Sequence, residues 1–232
     1  MILDMLASNQ VPVQIKIDSE EAKAHFFAPQ SYVNTILNEQ INRDRIYDFF
    51  FDGKRDLTIL DAGANVGIFS LFCSPSSQEI YAIEPTPSHY KILQEVTAPF
   101  SNIETINCAV WKDNEDIRFF IVDYNTTSNS AVSPTNNFVV VKGKKIQTII
   151  QEKQIDHLDL LKMDIEGSEF EVINHDLLDY LYPIVDNWFL EVHTYPQYCS
   201  SYHDCREIMA GIFKKHNYKV DNKGNDGLYI HK

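Results

Sequence analysis

From residue 57 onward, short apolar runs alternate with stretches of helical periodicity, and few folds satisfy that alternation. A half-exposed strand would alternate apolar with polar residues, whereas a strand buried on both faces is apolar throughout and needs helices above and below it. The units read as a strand at 57–60, a helix at 66–73, a strand at 80–83, a helix at 87–98 and a strand at 103–110. Thr86 followed by Pro87 marks the start of the second helix, as an N-cap and a proline at the first helical position. Strands at 117–122 and 138–141 flank a polar segment, 124–137, rich in Asn, Ser and Thr, which is expected to be a loop or lid. A strand at 158–163 runs into Asp164, and Ser168 with Glu171 has the spacing of a capping box for a helix ending near Leu181. A strand at 188–192 runs into His193, a helix follows at 201–216, and 218–220 pairs with 228–230 around a turn at 222–227. The class is α/β with a mostly parallel sheet.

Before this body, 11–17 is strand-like, Asp18 with Glu21 signals a helix start, and Pro29 closes that segment. Val33, Ile36, Leu37, Ile41, Ile46, Phe49 and Phe50 then recur at three- and four-residue steps until Gly53. The expected organisation is a helical extension, 1–55, packed on a domain spanning 56–232.

The chain of 232 residues, 44% hydrophobic, is long enough for one substantial core. Its formal charge of −13 repels phosphates, so nucleic acid is excluded as the main substrate. Lys142, Lys144 and Lys145 around Gly143 read as a solvated hairpin tip. No apolar run approaches the roughly 20 residues needed to span a bilayer, and the N-terminus lacks the pattern of a secretory leader. Cys73 and Cys108 sit inside apolar runs, as reduced thiols do, so a soluble protein of the reducing cytoplasm is expected. Cys199, His203 and Cys205, with His193 upstream, do not have a usual zinc spacing, and no metal site is expected there.

The run Asp61, Ala62, Gly63, Ala64, Asn65, Val66, Gly67 lies where a buried strand gives way to a helix, the place where open parallel sheets bind ligands. Gly63 permits a sharp turn, Gly67 permits close helix packing, and N–H groups at the helix start can hold a carboxylate. Asp61 is a natural acceptor for an ammonium group. Together these suit the amino-acid end of S-adenosylmethionine better than a pyrophosphate. A nicotinamide dinucleotide loop would need glycines where Asn65 and Ile68 stand, and a P-loop pattern is missing. Glu84 ends the next strand 23 residues after Asp61, near the offset at which a carboxylate grips ribose hydroxyls. Asn107, in the run Asn107, Cys108, Ala109, Val110, is placed on the following strand, where it and Ala109 would meet the adenine edge.

With these residues in view, the chain resembles the FkbM family of methyltransferases through four motifs in order: D-A-G-A-N-V-G, A-I-E-P-T-P, L-L-K-M-D-I-E-G-S-E and L-E-V-H. They span most of residues 57 to 193. The resemblance implies a class I methyltransferase (Rossmann-like) fold, with a seven-stranded sheet ending in an antiparallel strand and helices on both faces. It implies S-adenosyl-L-methionine as donor, S-adenosyl-L-homocysteine as product, and O-methylation of sugars, glycan or glycolipid units, or natural products. Asp61, Gly63, Asn65 and Gly67 then correspond to the methionine-end loop and Glu84 to the ribose ligand. A nicotinamide-dependent oxidoreductase and a non-catalytic ligand-binding module of the same fold are the alternatives.

Displacement at a sulfonium needs an aligned acceptor oxygen, and an alcohol needs a base. His193, at a strand end and with an ordinary pKa near neutrality, is the expected base. Asp164 and Glu191 are expected beside it, with Glu166, to orient the ring or bind acceptor hydroxyls. Their oxygens can hold a divalent cation, but the spacing is no recognised metal motif and none is expected. Glu169 reads as a helix N-terminal charge and Glu171 as part of the capping box. Tyr195, Tyr198 and Tyr202 follow His193 closely, as candidates to line an acceptor pocket or to pack in the core. His157, His175, His203, His216 and His231 show no partner pattern. The oligomeric state is not encoded in any motif.

Overall fold

The computed structural model describes residues 2–6, 12–16, 47–122, 129–199, 201–223 and 227–232. The helix start at Asp18 and the face from Val33 to Ile46 lie outside the described residues. The chain divides into two compact units, Met1–Ile106 and Asn107–Lys232.

In the first unit β1 (Ile2–Leu6) and β2 (Pro12–Lys16) form an antiparallel pair. A short helix, α1 (Asp48–Phe51), ends at Gly53, whose φ of 68° is open to glycine at little cost. Tyr47, Phe50 and Phe51 are buried around it, while Phe49 is exposed. They pack against α2 (Ile68–Cys73): the Tyr47 and Phe69 rings are 4.9 Å apart and those of Phe51 and Phe72 5.5 Å, both in edge-on contact.

Three parallel strands carry the rest of this unit: β3 (Leu57–Ala62), β4 (Ser77–Ile83) and β5 (Ile103–Ile106), in the register Ile59 to Ile80 to Ile103. Every residue of β3 except Thr58 is buried, as the unbroken apolar run requires of a strand covered on both faces. Between β4 and β5 runs α3 (Pro87–Thr97), which buries Ile92, Leu93 and Val96.

In the second unit β6 (Ala109–Val110), β7 (Glu115–Phe120) and β8 (Phe138–Lys144) form a small sheet in the order β6, β8, β7. The expected strand at 103–110 is therefore two strands in different sheets, broken at Asn107 and Cys108. An apolar run does not reveal a change of pairing partner.

After α4 (Ile146–Lys153) come β9 (Leu160–Met163), α5 (Glu169–Val172), α6 (His175–Leu181), β10 (Asn187–Glu191), α7 (Tyr202–Lys215), β11 (Lys219–Lys223) and β12 (Gly227–His231). β9 and β10 are parallel, and β12 runs antiparallel to both β10 and β11. Trp188, Leu190, Phe213, Leu228 and Ile230 fill the core of this unit. The main sheet has the strand order β11, β12, β10, β9, β3, β4, β5, with β12 alone reversed. That is the class I methyltransferase topology: seven strands, mostly parallel, with a C-terminal antiparallel strand.

Three further local expectations are corrected. Lys142, Gly143 and Lys144 lie within β8 and form no hairpin tip; Lys142 pairs with Asp116 at 2.6 Å, and Lys145 beyond the strand pairs with Asp113 at 3.1 Å. Gly143 belongs there because a Cβ would come within 3.0 Å of the Glu115 carbonyl oxygen. The helix expected from Ser168 to Leu181 is two helices, since Asn174 Oδ1 accepts the Leu177 N–H at 2.9 Å and starts a new one. The Ser168–Glu171 capping box does not form. Ser168 has helical dihedrals and no capping bond, and Glu171 instead pairs with Lys112 and accepts from the Tyr195 hydroxyl at 3.2 Å. Finally, Cys73 and Cys108 are free and buried as expected, but Cys199 and Cys205 are joined in a disulfide with Cα atoms 5.3 Å apart, so their sulfurs are not zinc ligands.

The polar segment 124–137 is anchored where it is described. Ser130 bridges to Phe120, and its hydroxyl donates to the Glu166 carbonyl at 2.6 Å. No helix among the described residues is long and apolar enough to cross a membrane.

Candidate active site

In the first unit two carboxylates stand at the ends of neighbouring parallel strands. Asp61, fully buried in β3, is opposite Ala82 in β4, and Glu84 follows β4 by one residue with 5% exposure. Asp61 Oδ2 accepts the Ser70 hydroxyl at 2.6 Å, which anchors it to α2. Glu84 Oε2 accepts the Asn65 N–H at 2.9 Å and Oε1 the Thr86 N–H at 2.8 Å. One carboxylate thus ties the glycine loop to the turn before α3.

The loop itself is built from left-handed backbone: Gly63 at φ 84°, Asn65 at 52° and Gly67 at 91°. Gly67 has a second constraint, since a Cβ there would lie 2.7 Å from Leu93 Cδ1 on α3. Its role is close approach to that helix as well as chain reversal. The Gly63 and Ala64 N–H groups both donate to the Ile83 carbonyl, at 3.0 and 2.9 Å, and the Gly67 N–H donates to Ala64 at 2.8 Å. Gly63, Ala64, Asn65 and Gly67 therefore shape the loop with their N–H groups engaged internally. Each carboxylate oxygen has a second lone pair, so Asp61 and Glu84 fit an ammonium and ribose hydroxyls in addition to their protein donors.

Asn107 and Ala109 belong to the second unit. Asn107 is exposed in the break after β5 and not on a strand, while Ala109 is buried with Ile117, Phe119 and Val141.

The same unit assembles a second constellation around His193. β9 and β10 pair in register, Leu190 opposite Met163, so Asp164, which follows β9, and Glu191, the last residue of β10, emerge side by side. His193 follows two residues later. Its Nδ1 lies 3.0 Å from Glu169 Oε1; its Nε2 lies 3.3 Å from Glu166 Oε2, 3.8 Å from Glu191 Oε1 and 3.9 Å from Asp164 Oδ1. Lys162 offsets part of this charge from 3.3 Å beyond Asp164 Oδ2. The turn between β9 and α5 makes the cluster possible, with Glu166 at φ 54° and Gly167 at 94°. For Glu166 the left-handed conformation costs about 1–2 kcal/mol, a strain found where a side chain must be aimed.

Burial alone would lower the pKa of His193, but Glu169, Asp164 and Glu166 outweigh it and hold the ring well above its ordinary value. Burial and the neighbouring Asp164 push Glu166 up to about 8, against the pull of His193. His193 thus keeps its proton through neutral pH and becomes able to accept one only at higher pH. Asp164, Glu191 and His193 can each place one ligand atom within 4.8 Å of the other two, close enough to share a divalent cation.

His193, Asp164 and Glu191 are thus brought together, as expected of them. Glu169, read from sequence as a helix-terminal charge, is instead fully buried against the imidazole. The signal was its place in the E-G-S-E run: a glycine turn returns the second glutamate toward the strand end that carries the first. Beside the cluster, Phe170 and Tyr198 stack at 5.1 Å with Tyr195 5.2 Å from Tyr198. Tyr198 is half exposed and Tyr195 buried.

The model of the methyltransferase FkbM domain matches residues 61–220, more than half of the chain. Methyltransferase sdnD of Sordaria araneosa is 23% identical over 205 residues, covering 72% of this chain and 77% of that protein. Methyltransferase 1 of Beauveria bassiana is 25% identical over 185 residues, covering 67% and 72%. Among solved structures, the chain is similar to Aeropyrum pernix fibrillarin with bound S-adenosyl-L-methionine (TM-score 0.46, 10% identity, 99% and 92% of the two chains). It is also similar to a SAM-dependent methyltransferase from Aquifex aeolicus (TM-score 0.47, 12% identity, 93% and 98%). With the family model spanning the stretch that holds the glycine loop, both strand-end carboxylates and His193, the nicotinamide alternative falls away, and the chain belongs to the FkbM methyltransferase family of S-adenosylmethionine-dependent enzymes.

Proposed function

We propose that this enzyme methylates a hydroxyl group of a sugar, a glycan or glycolipid unit, or a natural-product acceptor, with His193 as general base. S-adenosylmethionine, when bound, supplies an electrophilic methyl group on a sulfonium. Asp61 takes the ammonium of the donor and Glu84 the ribose hydroxyls, while Gly63, Ala64, Asn65 and Gly67 shape the turn around them. Asn107 and Ala109 are assigned to the adenine edge.

The observation that carries the reading is an imidazole at a strand end with a carboxylate facing each ring nitrogen. An alcohol is a weak nucleophile until its proton leaves, and a histidine so placed can take that proton as the new C–O bond forms. Asp164 and Glu191 stabilise the resulting imidazolium and offer acceptors to neighbouring hydroxyls. A carbohydrate ring is favoured by the half-exposed face of Tyr198, backed by Phe170. The Cys199–Cys205 bond argues against residence in the reducing cytoplasm, because persistent disulfides belong to oxidising compartments.

The test is transfer of a labelled methyl group to a panel of hydroxyl-bearing acceptors, beside the same assay on His193→Ala. The variant is expected to bind S-adenosylhomocysteine as the native enzyme does, by calorimetry, and to lose turnover roughly 10²–10⁴-fold. Undiminished turnover removes His193 as base, and transfer confined to nitrogen or sulfur acceptors removes O-methylation.

A further inference from the structure

We propose that Glu169 is the positioning residue of this site, which pins a proton on Nδ1 of His193 and leaves Nε2 as the one ring nitrogen able to accept another. The argument is one of donors and acceptors. Glu169 Oε1 accepts the backbone N–H groups of Ile165 and Gly167, each at 3.3 Å, and a backbone N–H can only donate. An ionised carboxylate oxygen carries no hydrogen, and this one already faces two N–H donors, so the hydrogen in its 3.0 Å contact belongs to Nδ1. In a neutral imidazole the lone pair then lies on Nε2, on the side of Glu166, Glu191 and Asp164.

The hold is rigid. Glu169 is fully buried. The turn that supplies its two backbone donors is clamped by the Ser130 hydroxyl on the Glu166 carbonyl and by Val132, whose Cγ2 lies 3.1 Å from where a Cβ on Gly167 would be. Any proton taken from an acceptor hydroxyl arrives at Nε2 and makes an imidazolium whose Nδ1–H stays with Glu169, so the ring does not turn over during the reaction.

The tautomer assignment is independent of the proposed function, whereas its effect on turnover rests on His193 being the base. The decisive measurement is the ¹⁵N spectrum of the histidine rings in the full chain with S-adenosylhomocysteine, at a pH high enough to deprotonate His193. A protonated Nδ1 with a bare Nε2 is expected; the opposite tautomer overturns the proposal, and this readout needs no variant to fold. Glu169→Gln supplies the second readout. The groups facing the ring are Glu169 on Nδ1 and Glu166, Glu191 and Asp164 on Nε2, with Lys162 behind Asp164. Removing one of these negative charges lowers the ring's pKa, so the rise of kcat with pH moves to lower pH, and the plateau falls roughly 10²-fold as the ring loses its orientation. An unmoved profile with an unchanged plateau overturns the positioning role. If His193→Ala keeps its turnover while the native ring shows the Nδ1–H form, the base fails and the positioning stands.

Discussion

The glycine loop and the His193 cluster are both built at strand ends, but from different materials. The loop is a backbone object: three left-handed residues within five positions, N–H groups engaged internally, and one carboxylate, Glu84, stitching two turns together. The cluster is a side-chain object, in which four carboxylates and one lysine set the charge of one imidazole. If the loop holds the methyl donor, as proposed, a ligand that never varies is met by a fixed shape, which backbone geometry provides. The charge state of a buried imidazole depends on the charges around it, which here only side chains provide. Damage to the first should appear as lost folding or donor affinity; damage to the second should appear as lost turnover in an intact protein.

The sharpest way to break that contrast is Gly67→Ala. A methyl group there would lie 2.7 Å from buried Leu93 Cδ1, on backbone at φ 91° that an L-residue adopts only at a cost. Strain of about 1–2 kcal/mol and overpacking of about 1–3 kcal/mol add to a loss of roughly 2–5 kcal/mol, seen as a Tm lower by roughly 4–20 °C. An unchanged melting curve would mean that this glycine is not held by the packing of α3.

Glu84→Gln comes next. The amide keeps one oxygen but turns a donor toward one of two backbone N–H groups, Asn65 or Thr86, that now meet acceptors. A donor facing a donor costs about 1–3 kcal/mol. Affinity for S-adenosylhomocysteine, measured by calorimetry, is expected to weaken roughly tenfold or more, with the acceptor's KM unmoved. A shift in the acceptor's KM instead would break the division of labour between the two sites.

The contrast also explains what could be read in advance. Backbone-dictated features leave local marks: Gly63 and Gly67 at fixed spacing after an apolar run, and Thr86 with Pro87 before α3, so the glycine turn and the first parallel strands were legible. His193, Asp164 and Glu191 were legible as strand ends, because parallel strands collect their C-terminal residues on one edge. Glu169 was not, since its role depends on two left-handed residues before it that reverse the chain, and Glu166 is no ordinary choice for such a position. The same kind of long-range dependence hid the break at Asn107, where only a pairing partner changes, and the Cys199–Cys205 bond, whose six-residue separation carries no pattern of its own.

The smallest expected effect decides what the cluster is for. Asp164, Glu191 and His193 are close enough for their ligand atoms to meet on one divalent cation, yet Nε2 would then be bound to the ion and unable to take a proton. The same nitrogen cannot serve both ends. With His193 as base, exhaustive dialysis against a chelator leaves kcat unchanged, and added magnesium or manganese either does nothing or slows the reaction by drawing the carboxylates away from the ring. Loss of turnover on chelation, restored by one of these ions and not by pH, would make the acceptor oxygen a metal-bound one, activated by Lewis acidity. Glu169 would then serve as the outer carboxylate that orients a ligating histidine, with the same hydrogen bond to Nδ1 and a different consequence at Nε2.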